Sequence, residues 1–356
     1  DEGRGNGQQR LKVAVPDLQA GDLLDYFIYN VDDLEENSVS PYHFSFIASV
    51  PMLSYQVHCV IDRDMTTQYR TLNGAPDFRQ STDADGNVVL DVEVSNVEQT
   101  EPRLWYDSTA QTPTILLCIT GKKLKGQWAP PSTRQPGLQA NPHFSQIVAD
   151  DVECRNNSKG TSLWGKELKQ WKQYCQQVAD MQLTPRERVA RLYTGLHYLL
   201  RFSQTGQLTT ETFLNMLREA LEKQGFTVRD LYTTHAGQEP IDQLISYRNT
   251  MWGLYLDNPD CVLLPPFGDT SPFIIPSAFQ GRAAILDNAD GTIITLPASK
   301  PGDNCTDITL TAEVADGTTL RISRRNSMGG IERERLSTDL YTIQQFFPCN
   351  IIEDRK

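Results

Sequence analysis

The residues able to do chemistry are few and scattered along this 356-residue chain. Seven cysteines stand at Cys59, Cys118, Cys154, Cys175, Cys261, Cys305 and Cys349. No two form a CxxC pair, which excludes a zinc ribbon or a thioredoxin-type centre. An odd count leaves at least one thiol unpaired or paired between chains. The expectation is mostly buried free thiols, with room for one or two disulfides. The histidines are His43, His58, His143, His197 and His235, and none has HxxxH-type metal spacing. His58 alternates within a strand and His197 lies in a long helix, so both read as structural. His235, in a loop between strands, is the one placement suited to an acid or base. There is no Walker loop, no GxGxxG and no GxSxG elbow. No cofactor and no metal is expected.

Some patterns imitate sites. Ala84-Asp85-Gly86 recurs at 289–291 and 315–317. These Asp-rich turns lack the ligand spacing of a calcium loop and read as hairpin turns. Trp164, Leu168, Trp171 and Cys175 fall four, three and four residues apart, a helical stripe. Two tryptophans on one stripe could stack a sugar or base, but the commoner use is core packing.

Residues 11–120 carry alternating apolar runs between turns. They are Leu11–Val15, Asp25–Tyr29, Phe44–Ile47, Tyr55–Ile61, Val88–Val94 and Ile115–Ile119. Such spacing predicts an antiparallel β-sandwich. Residues 121–160 hold Pro130-Pro131, Pro136-Gly137, Asn141-Pro142 and a polar run, and read as a linker. Residues 161–225 read as helical. Thr184-Pro185-Arg186-Glu187 is a capping box with proline at the first helical position. That helix continues through Leu192, Leu196 and Leu200. A second start lies at Thr209-Thr210, with Phe213, Leu214, Leu217 and Leu221 on one face and Gly225 as the stop. Strands return at Phe226–Tyr232, Met251–Leu256 and Cys261–Leu264. Strand-turn-strand pairs follow at 283–297 and 308–323.

Lys plus Arg total 33 against 45 Asp plus Glu, a net charge of −12. So acidic a surface repels phosphate backbones, which argues against nucleic-acid binding. Lys122, Lys123 and Lys125, and Arg321, Arg324 and Arg325, are short basic groups that read as solvated faces. No apolar run is long enough to span a membrane. The start, Asp1–Arg10, is polar and lacks a signal-peptide pattern, so it reads as that of a processed or trimmed piece. The predicted class is α+β, divided as a β-sandwich domain at 1–125, incomplete at its start, a linker at 126–160, a core at 161–298 and a β segment at 299–356.

A capped helix, a Gly-containing loop, a second helix and then antiparallel strands is the order of a papain-like or transglutaminase-like core. Such a core seats a nucleophilic cysteine at the N-terminus of the second helix, where the dipole stabilises a thiolate. A histidine on the next strand is the base, and an aspartate on the following strand orients it. Over residues 11–290 the chain resembles bacterial envelope proteins that join a β-sandwich domain of unknown function to a transglutaminase-like domain. The resemblance is carried by Val15-Pro16-Asp17, Gly21 to Tyr26, Phe44 to Pro51, the strand around Tyr55, Asn96-Val97-Glu98 with Glu101-Pro102, and the stretch from Trp164 to Gly206. It continues through Leu217 to Gly225, Pro272 to Pro276 and Gln280 to Ala284.

The resemblance implies a thiol acyl-transfer site, yet the residues at its positions differ. Where the family has Gly-any-Cys-Lys-Asp, this chain has Gly206-Gln207-Leu208-Thr209-Thr210. Where it has Phe-Asn-His, Tyr247-Arg248-Asn249-Thr250 puts Asn249 or Thr250 at the base. The orienting acid falls near Leu263-Leu264-Pro265-Pro266, on Leu264 or Pro265. The expectation is therefore a catalytically inactive transglutaminase-like protein. It would act as a binding or scaffold module for peptide, protein or glycan in the cell envelope or periplasm, with Tyr247, Asn249 and Trp252 as groove candidates. The alternatives are an active thiol acyl transferase or peptidase using Cys261, beside Asp260, and a purely structural module.

Overall fold

A computed structural model describes residues 16–17, 19–29, 41–100, 111–121, 132, 135–157, 165–201, 209–266, 272–287, 291–315 and 317–330. The fold is mixed α+β, with several sheets and, among the described residues, four α-helices. The chain divides into two compact units, residues 1–35 and 36–356. In the first, Asp22 donates from its amide to the Gln19 carbonyl in a tight turn. Asp25–Tyr29, expected as a strand, is irregular and its side chains are exposed. Alternation alone does not make a strand where none of the described residues supplies a ladder partner. The strand expected at 11–15 lies outside the described residues.

The second unit begins with seven strands in two sheets. One sheet has the order β1-β6-β3-β7, from β1 (Tyr42–Ser45), β3 (Thr66–Leu72), β6 (Thr114–Thr120) and β7 (Gly137–Ala140). The other, β2-β5-β4, comprises β2 (Met52–Ile61), β4 (Arg79–Thr82) and β5 (Val88–Val97). Period-2 alternation sends Tyr69, Ile115 and Leu117 from the first sheet, and Val57, Ile61, Leu90 and Val92 from the second, into one shared core. Each fully buried aliphatic side chain there contributes roughly 1.5–3 kcal/mol. The Ala84-Asp85-Gly86 turn closes the β4–β5 hairpin, as expected. Gly86 takes φ +86°, and the Asp83 carboxylate accepts from the amides of Asp85 and Asn87.

The stretch 126–160, read as linker from its prolines, carries regular structure. Here β7 pairs parallel with β3, Thr66 opposite Gly137 through Tyr69 opposite Ala140. Helix α1 (Phe144–Asn157) follows directly. Pro136 and Pro142 flank the short strand and leave its interior amides free to pair.

The helical layer is α2 (Gly165–Asp180), α3 (Pro185–Arg201) and α4 (Thr210–Lys223). Both cap expectations hold. The Glu187 amide donates to Thr184 Oγ1 at 3.3 Å and Glu187 Oε2 accepts from the Thr184 amide at 2.8 Å. Thr209 caps α4 through the Thr212 amide. Gly225, at φ +84°, ends it with the Gly225 and Phe226 amides turned back onto Glu222 and Leu221. Trp171 is buried and stacked on Tyr174, the core packing expected of the stripe. Trp164 lies outside the described residues.

These helices cover one face of a five-stranded antiparallel sheet ordered β10-β9-β8-β11-β12. Its strands are β8 (Val228–Thr234), β9 (Thr250–Asp257), β10 (Asp260–Leu263), β11 (Ala283–Leu286) and β12 (Thr292–Thr295). Tyr232, Trp252, Leu254, Leu256, Leu263 and Ile285 face the helices. Leu231, Val262, Leu264, Ala284 and Leu286 form a second core on the opposite face, with Phe279 and Leu296. The outer face of the β1-β6-β3-β7 sheet meets this part of the chain through Leu72, Leu116 and Cys118, which cluster with Ile245. Beyond lies a two-stranded hairpin, β13 (Thr306–Val314) and β14 (Leu320–Met328), with exposed Ile308, Leu310, Leu320 and Ile322. Among the described residues no helix is long and apolar enough to cross a membrane.

Candidate functional site

The expected site would lie where the start of α4 meets the start of β9. Gly206, Gln207 and Leu208 lie outside the described residues, which resume at the cap residue Thr209. Asn249 closes a 3-10 turn, Tyr247–Asn249, that leads directly into β9. Thr250 opens β9 opposite Thr234 and shares the helix-facing parity of Trp252 and Leu254. Its Oγ1 is buried without a hydrogen-bond partner.

Leu264 is not brought to this place. It follows β10 with the parity of Val262, so its side chain lies on the far face of the sheet, over Gly253. Only its carbonyl reaches the helical side, accepting from Tyr193 Oη at 2.9 Å. The helix-facing neighbour is Leu263.

Two polar clusters flank the start of β9, and neither was expected as a cluster. The first surrounds Trp252. Its Nε1–H donates to Asp230 Oδ1 at 2.6 Å, and Asp230 also pairs with Arg218 of α4. The Arg155 guanidinium of α1 lies 4.2 Å from the Trp252 ring centroid. Arg155 donates to Asp151 Oδ2 at 2.9 Å and to Tyr232 Oη at 3.0 Å. Burial pushes the Asp151 carboxyl up to about 6, against the opposing pull of Arg155, with the Glu211 and Asp230 charges adding to the rise. Trp252 is thus 5% exposed with a cation over its ring. Tyr247 is half-buried, and burial is the largest cause of the rise in its phenol. The i,i+4 pair Asp151–Arg155 was the available signal, but it fell in the presumed linker.

The second cluster centres on Glu239, whose side chain is 1% exposed. Its Oε2 accepts from Asn249 Nδ2 at 3.1 Å. Its Oε1 makes no hydrogen bond, and His43 Nε2 of β1 stands 3.8 Å away. The Glu239 carbonyl accepts from Arg282 Nη2 at 2.9 Å, and the same guanidinium grips Thr234 and the Gln238 carbonyl. Arg70 of β3 donates to the Leu244 carbonyl at 3.2 Å and to that of Pro142. Of the groove candidates, Asn249 alone belongs to this cluster.

The six described cysteines are free thiols, and Cys349 lies outside the described residues. Burial is the largest cause of a raised pKa at Cys59, Cys118, Cys154, Cys175 and Cys261. Cys261 is pushed up to about 11, with Arg186 pulling against the rise and Asp260 adding to it. Such a thiol is almost wholly protonated at neutral pH. His235 sits in an exposed turn, its Nδ1 on the Ala236 carbonyl and its ring edge-on to Phe279. His58 pairs with Asp91 across β2 and β5.

No family model and no curated protein matches the chain. A crystal structure of a "putative protease" from Parabacteroides distasonis superposes with a TM-score of 0.43 at 11% identity. The match covers 80% of this chain and 55% of that one, so this chain spans about half the length of that protein.

Proposed function

We propose that the chain couples a β-sandwich domain to a transglutaminase-like core that has lost its thiol chemistry. It works as a binding or scaffold module, for peptide or glycan, in the bacterial cell envelope. The observation that carries this reading is Asn249. At the entry to β9 stands an amide engaged by a buried carboxyl rather than an imidazole. Neither that amide nor the neighbouring Thr250 hydroxyl takes a proton near neutral pH. The raised thiols support the same reading, because acyl transfer by cysteine requires a thiolate.

The test is made on the full chain. Fluorogenic peptide amides and acyl-donor/amine pairs should show no turnover above background, and iodoacetamide at pH 6 should label no cysteine rapidly. Immobilised peptidoglycan and a random peptide library should retain the protein, and Asn249→Ala and Tyr247→Ala should weaken that retention. Rapid labelling of Cys261 with turnover abolished in Cys261→Ser would overturn the proposal in favour of a thiol enzyme.

A further inference from the structure

We infer that Glu239 is the positioning acid of this site, the role that the family resemblance placed on Leu264 or Pro265. The inference rests on the reading of Asn249 as the former base position. Asparagine and histidine both branch at Cγ, so Nδ2 of Asn249 stands where Nδ1 of an imidazole would stand. In a nucleophile–base–acid triad the acid accepts from Nδ1–H, which fixes the ring's tautomer and leaves Nε2 for the proton transfer. Glu239 Oε2 meets that atom, at 3.1 Å. Leu264 packs instead with Val262 and Leu231 in the core on the face of the sheet away from the helices.

The carboxyl is well suited to hold a partner still. It is buried, its main chain is clamped by Arg282, and Pro240 follows it into the turn at Ile241–Gln243. Carboxyl oxygens accept while the amide nitrogen donates, so Glu239 also decides which way the Asn249 amide is turned. The titratable and charged groups facing it are His43 from β1, Arg70 from β3, which also senses Asp242 of the 3-10 turn, and Arg282 from the entry to β11. The acid therefore comes from the connection before β9, not from the strand after it. The first sheet reaches it through His43.

The test is Asn249→His in the full chain, with ¹⁵N-labelled histidine and NMR. The new imidazole should carry its neutral-state proton on Nδ1. In the double variant Asn249→His/Glu239→Met it should revert to the Nε2–H form, with a titration midpoint lower by about 1–3 units, as expected for losing an adjacent carboxylate. A second measurement needs no histidine. The Asn249 side-chain NH₂ signals of the wild-type protein should exchange slowly with solvent, and Glu239→Met should speed that exchange. A tautomer and midpoint indifferent to Glu239, or Asn249 NH₂ signals unmoved by Glu239→Met, would overturn the assignment. The outcome is independent of the turnover and thiol-labelling assays, so failure of either reading can be told from failure of the other.

Discussion

Gly195 lies in the interior of α3, where glycine is ordinarily a defect. In an exposed helix interior, replacing it with alanine stabilises by about 1 kcal/mol. Here the added Cβ would enter the ring of Tyr174 on α2, lying 2.8 Å from Cζ and 3.0 Å from Cδ1, closer than carbon atoms can pack. The ring has little room to retreat. It is 3% exposed, stacks on Trp171 with centroids 6.1 Å apart, and donates from Oη to the Arg191 carbonyl at 3.0 Å. Overpacking of this kind costs about 1–3 kcal/mol, and disturbing the Tyr174 hydrogen bond adds about 1 kcal/mol. The steric effect wins, and Gly195→Ala should destabilise by about 1–3 kcal/mol net. Urea unfolding followed by far-UV circular dichroism should show a lower midpoint at unchanged slope. In Tyr174→Leu the ring is gone, and Gly195→Ala should then be neutral or stabilising, a coupling readable from a double-mutant cycle. A single Gly195→Ala that stabilises, or a cycle with no coupling, would refute the close-packing argument.

Three further outcomes are expected. Asp151 has a folded-state pKa of about 6 against 3.8 for the free group, so the folded chain holds a proton that the unfolded chain releases between those values. Its stabilising contribution is full below about pH 3.8 and is lost as pH rises through 6. A ¹³C-carboxyl titration should place its midpoint near 6, and Arg155→Met should move it higher, because Arg155 favours the ionised form. Trp252→Phe removes the donor to Asp230 and should lower stability by about 1–3 kcal/mol, measured by thermal unfolding. Thr209→Ala removes the cap of α4 and should cost about 1 kcal/mol, with faster hydrogen exchange at Thr212.

The local grammar of the chain was legible. The Thr184 capping box, the Thr209 start, the Gly225 stop and the Asp85-Gly86 turn each depend on residues a few positions apart, and each stands where expected. What depends on distant partners was not legible. Gly137–Ala140 is a strand because β3, some 70 residues earlier, offers it an edge. Helix α1 shows little apolar stripe because it buries Asp150 and Asp151, made tolerable by Ser132 and Arg155. At the site, the family motif leads to Asn249 or Thr250 but not to Glu239. Nothing in Gly237-Gln238-Glu239-Pro240 distinguishes a buried carboxyl from a solvated one. Order along the strands leads to Leu264 or Pro265 for the acid, and strand parity turns Leu264 to the face away from the helices.

The bond from Arg70 to the Leu244 carbonyl joins residues 174 positions apart. On a ribosome adding 5–20 residues per second, the acceptor appears roughly 9–35 s after the donor. The β1-β6-β3-β7 sheet can be complete once residue 140 has emerged. Until Ile245 arrives, however, the face bearing Leu72, Leu116 and Cys118 has no cover from its native partner. That interval is a window of vulnerability for the nascent chain, when an apolar sheet face with an exposed guanidinium is offered to any chaperone, or to any neighbouring chain, that finds it first.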